Sequence, residues 1–93
     1  MQELLSKNPD PNTPLPDQEY YELSLLDEAN GVRTRYCVRQ VRAVRVEADG
    51  QFIWNHEEVE YFWILAEAKR RYEERKRALA EKGFIYSDID SIL

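Results

Sequence analysis

The pair Asn30-Gly31 stands between two runs of alternating side chains, and it limits the possible folds more than any other feature of the chain. Upstream, residues 19–26 read EYYELSLL, with Tyr21, Leu23 and Leu25 at one parity and Tyr20, Glu22 and Ser24 at the other. A period of two is the mark of a strand with one buried face. Downstream, residues 32–47 are rich in Val, Tyr, Thr and Arg and read as a long strand. Asn-Gly tolerates the positive φ of a tight hairpin turn. Asp49-Gly50 repeats the signal and is followed by a short strand at 51–54. The prediction is a three-stranded antiparallel meander.

A loop symmetric about Asn30-Gly31 sets Ala29 opposite Val32, Leu25 opposite Tyr36 and Leu23 opposite Val38. On the other face Glu22 meets Arg39 and Glu28 meets Arg33. Apolar pairs on one face and ion pairs on the other each favour that register. The second turn pairs Val46 with Ile53 and Arg45 with Trp54. The inner face then holds Tyr21, Leu23, Leu25, Tyr36, Val38, Val44, Val46 and Ile53. Gln40 and Arg42 interrupt it, which calls for a bulge or bend near 40–42.

Residues 56–82 contain neither Gly nor Pro and are dense in Glu, Ala, Leu, Lys and Arg. Asn55 suits an N-cap, with Glu58 three residues on as in a capping box. Gly83 and Phe84 suit the far end. These signals predict one long helix of about 27 residues, ~40 Å at 1.5 Å per residue, whose first half covers the sheet. Four prolines, Pro9, Pro11, Pro14 and Pro16, make residues 8–18 an extended arm. Residues 1–7 read as one helical turn or loose chain. Ser87 and Asp90 suggest a short final turn. The fold class expected is α+β: a three-stranded antiparallel β-meander packed against one long C-terminal helix, with a Pro-rich N-terminal arm over 1–18 and a single domain over 19–93.

A chain of 93 residues suits one domain. The net charge of −5 is unevenly spread. Residues 1–32 hold seven acids against Lys7, whereas residues 33–56 hold five arginines against Glu47 and Asp49. The overall sign disfavours a nucleic-acid coat, while the centre supplies a local basic patch. The single cysteine, Cys37, fits a reducing compartment. With no signal-peptide pattern and no apolar run of spanning length, the chain is expected to be soluble and cytoplasmic, with no membrane partner.

Catalytic chemistry has little to build on. His56 is the only histidine, and a dyad with Cys37 requires the two to meet in space. The run His56-Glu57-Glu58-Val59-Glu60 lacks the second histidine of a metalloprotease helix. His56 and Glu60 supply at most two ligands, short of a zinc site. No enzyme, metal or cofactor is expected.

The candidate binding residues are of two kinds. The outer sheet face is expected to show Arg33, Arg35, Arg39 and Arg45 beside Phe52 and Trp54, a composition common in binding surfaces. Tyr61, Leu65, Ala68, Tyr72 and Leu79 fall near heptad spacing, broken at Arg75 and Lys76. Tyr72 and Leu79 lie where the sheet is expected to run out, leaving them for a partner. A salt-laced helix is read from Glu67–Arg71 and Glu73–Arg77. These features point to a small non-enzymatic interaction protein (an adaptor, inhibitor or assembly subunit) that binds another protein or a second copy of itself. The alternative is a nucleic-acid-binding regulator using Arg35, Arg39, Arg45, Phe52 and Trp54.

Overall fold

The structure, a computed structural model, describes residues 1–10, 18–45 and 52–87. Pro11, Pro14 and Pro16, the Asp49-Gly50 turn and the residues after Ser87 fall outside that set, and with them residues 11–17 of the arm and the final turn read from sequence. The elements run β1 (Gln2–Ser6), β2 (Glu19–Asn30), β3 (Arg33–Arg45), β4 (Phe52–Phe62), α1 (Leu65–Glu81) and β5 (Tyr86–Ser87). The strands form one antiparallel sheet of five in the order β4-β3-β2-β1-β5. The α+β class with one C-terminal helix stands. The three-stranded meander does not, because β1 and β5 add a second flank.

β1 replaces the helical turn or loose chain expected at 1–7. It pairs with β2 from Gln2↔Ser24 to Ser6↔Tyr20. Leu4 and Leu5 are adjacent and both buried, one on each face of the sheet. Burial on both faces erases the alternation that identifies a strand.

The hairpin between β2 and β3 closes on Asn30↔Arg33, with Gly31 and Val32 as the loop. Gly31 takes φ 65° at the first loop position, as a type II′ turn needs. The register is therefore shifted by two from the expected one: Leu25 faces Val38, Leu23 faces Gln40 and Glu28 faces Arg35. A slip of two keeps every side chain on its face, where a slip of one reverses all of them.

β4 is much longer than the strand expected at 51–54, and α1 is correspondingly shorter, with 17 residues, and begins after Ile64 rather than Asn55. Local helix signals at 55–58 lose to pairing with β3, whose 13 residues offer a ladder as far as Tyr36↔Phe62. Val59, Tyr61 and Phe62 suit a pleated surface. The ladder changes register between Val41 and Arg42, with Val41 opposite Glu57 and Arg42 opposite Asn55. The extra residue is His56, at φ 55°. The irregularity expected near 40–42 thus falls at that level of the sheet, but the inserted residue belongs to β4.

That inserted residue sets the faces of β4. Trp54, opposite Ala43, shares the outer face with Val59 and Tyr61, while Glu58 and Glu60 turn toward α1. On the helix side Leu23, Leu25, Val38, Ala68 and Tyr72 form the main core, with Tyr36 and Phe62 against it. Leu5, Leu79 and Phe84 continue it, and Tyr21 meets Phe84 edge-on at 4.7 Å between ring centres. Leu4, Tyr20 and Ala43 form a smaller buried cluster on the outer side. Among the described residues no helix is long and apolar enough to cross a membrane.

Candidate functional site

Ion pairs attach α1 to the sheet and explain why its apolar stripe is broken. Arg75, with a side chain only 12% exposed, reaches Glu60 at 2.9 Å, Glu58 at 3.1 Å and Gln40 at 3.1 Å. Arg71 reaches Glu60 at 2.8 Å and Glu74 at 3.2 Å. Lys76 holds Glu3 at 2.8 Å, and the Tyr72 hydroxyl donates to the same carboxylate. Arg75 and Lys76, which interrupt the heptad spacing, therefore face carboxylates of the sheet rather than water. Burial disfavours ionisation of both Glu60 and Glu3. Hydrogen bonds from Arg75 and Arg71 to Glu60, and from Lys76 and Tyr72 to Glu3, outweigh it and lower both pKa values.

Tyr72 and Leu79 are each 1% exposed. They lie inside the domain, so the surface open to a partner is formed by other residues.

On the opposite side of the sheet, β3 and β4 carry a strip of arginines and aromatic rings. Arg35 lies over the Tyr61 ring at 4.1 Å and Arg33 over the Trp63 ring at 5.5 Å. Trp54, Tyr61 and Trp63 are 46%, 53% and 58% exposed, and Val59 is exposed between them. Arg35 also pairs with Glu28 at 2.8 Å, and Arg39 with Glu57 at 2.7 Å and Glu22 at 3.5 Å. The Glu22–Arg39 contact read from sequence is present; Glu28 takes Arg35 instead of Arg33, as the two-residue shift requires. Arg45 and Phe52 stand opposite one another at the far end of this ladder. The structure thus gathers Arg35, Arg39 and Trp54 on one face. It adds Val59, Tyr61 and Trp63, which the sequence reading assigned to a helix. Their signal was present: Val59, Tyr61 and Trp63 alternate with Glu58, Glu60 and Phe62 at a strand's period of two.

Cys37 and His56 do not meet. Cys37 is buried opposite Tyr61, and burial pushes its thiol pKa up. His56 stands at the bulge beside Val41, four residues further along β3, about 13 Å at strand rise. His56 instead borders a polar groove of about 340 Å³ with Tyr21, Gln40, Arg42, Glu57, Glu58 and Lys82. Three charges in that groove are already matched: Arg42 by Glu19 at 2.5 Å, Glu57 by Arg39 and Glu58 by Arg75. Among the described residues no group of three or more His, Cys, Asp or Glu side chains is placed to hold a metal ion.

Compared with known protein families, curated proteins and solved structures, the chain matches none.

Proposed function

We propose that this chain is a non-enzymatic protein-interaction module, an adaptor, inhibitor or assembly subunit, whose partner binds the outer face of β3 and β4. The observation that carries the reading is the exposure of Trp54, Tyr61 and Trp63 together on a face that no described helix covers. Half-exposed, three such rings present roughly 300 Å² of apolar surface, comparable to the largest patch on a typical monomer. Aromatic rings flanked by arginine are the usual composition of an interface centre.

The same residues suit a nucleic acid by chemistry, since rings stack bases and arginines meet phosphates. The ion pairs weigh against it. Arg35 and Arg39 are each held by carboxylates, Glu28 for the first and Glu22 and Glu57 for the second. A phosphate backbone would have to displace those acids or lie beside them.

The test is capture of the tagged chain's partner from its native lysate, with and without nuclease, using the natural chain and a Tyr61→Ala/Trp63→Ala variant. A protein retained after nuclease and lost with the variant supports the reading. Capture that vanishes with nuclease transfers the face to nucleic acid. Equal capture by the variant removes this face from the interface.

A further inference from the structure

We infer that the partner engages this module by adding a strand to the free edge of β4, and that the added segment alternates arginine or lysine with apolar residues. The inference deepens the proposal of a protein partner and rests on it. β4 ends the sheet: among the described residues its only ladder is with β3, so one row of backbone N–H and C=O groups faces outward. An open row of this kind is a template for an extended chain. The bulge at His56 interrupts the row, leaving residues 57–62 as the regular stretch available.

The side chains along that stretch specify the guest. Residues opposite one another on neighbouring strands share a face, so an added strand places alternate residues beside Val59 and Tyr61 and the others beside Glu58 and Glu60. Val59 and Tyr61 are exposed and apolar, with Trp63 continuing their line. Apolar side chains extend that surface. On the helix side the guest passes Glu58 and Glu60 before Phe62, and β4 contains neither lysine nor arginine. The Glu58 side chain remains 62% exposed although it holds Arg75. On the outer face Glu57 is already held by Arg39, which crosses from β3 at 2.7 Å. The same row of acids disfavours a second copy as the occupant. Registers that bring the two copies' residues 57–60 together set carboxylate against carboxylate, which is destabilising.

The test uses a capped heptapeptide of alternating arginine and valine. Its controls are the version with glutamate for arginine and an isomer with the arginines grouped together. Amide hydrogen exchange of the full chain is followed by NMR. The expected result is that the alternating peptide slows exchange of the outward amides of residues 57–62 at least tenfold at saturation. The two controls leave them unchanged, and Glu58→Gln weakens the alternating peptide severalfold. Strand addition is overturned if those amides stay unprotected, or if the grouped isomer or the glutamate peptide protects them equally. Loss of lysate capture by Tyr61→Ala/Trp63→Ala with no protection of β4 retains the outer-face interface and rejects the added strand. Protection of β4 with lysate capture unaffected by that variant does the reverse.

Discussion

The two faces of this sheet are built from the same residue types and put to different ends. On the helix side Arg71 and Arg75 meet Glu58 and Glu60, and Tyr36, Tyr72 and Phe62 close over Leu23, Leu25 and Val38. On the outer side Arg33 and Arg35 lie over Trp63 and Tyr61, and the rings remain half in water. Composition does not separate a core contact from a partner contact here. What separates them is whether another element of the same chain lies above the ring. α1 covers one strip, and no described helix covers the other.

The largest effects are expected on the helix side. Tyr72→Ala empties a fully buried ring site and removes a hydrogen bond to Glu3. Leu79→Ala opens a cavity beside Leu5 and Phe84. Each is expected to lower stability to urea by about 3–5 kcal/mol. Arg75→Met comes next. It leaves Glu58 and Glu60 without their shared cation, and about 2 kcal/mol is expected from the loss of charge-assisted hydrogen bonds. Trp63→Ala, at an exposed ring, is expected to shift the urea midpoint by no more than about 0.5 kcal/mol while abolishing partner capture. A loss of several kcal/mol there would mean that the outer strip is core after all.

Acid titration sharpens the same contrast. Glu3 and Glu60 have pKa values lowered in the fold, so each contributes stability that is present above the ordinary carboxylate range near 4.5 and is lost as pH falls through the lowered values. Thermal unfolding followed from pH 7 downward is expected to weaken below about 4.5. Glu60→Gln is expected to flatten that limb, and Trp63→Ala to leave its shape unaltered.

Deleting His56 tests how the outer strip is assembled. Without the extra residue Asn55 and Glu57 become consecutive and still pair with Arg42 and Val41, so the ladder turns regular and 52–55 keep their faces. Trp54 is expected to stay on the outer strip, with its fluorescence and partner capture retained; loss of both would mean that the bulge itself shapes the strip.

The faces of β2 and β3 were legible because alternation reports parity, and parity survives a two-residue error in register. The register itself was not, since it depended on whether Asn30 or Val32 joined Gly31 in the loop. β1 left no signal, because Leu4 and Leu5 bury opposite sides in succession. The boundary between β4 and α1 was misread for a different reason. Residues 55–64 carry helix signals and a period of two at once, and the long partner strand β3 decided between them. Three members of the outer strip, Val59, Tyr61 and Trp63, were lost with that decision. Arg35, Arg39 and Trp54, on segments read correctly as strands, were found.

The most direct measurement is hydroxyl-radical footprinting of the free chain and of its captured complex. Trp54, Tyr61 and Trp63 are expected to become protected on binding, while the solvent side of α1, at Lys69, Arg70 and Arg77, is unchanged. Protection along α1 with the three rings still reactive would contradict an interface on the outer face.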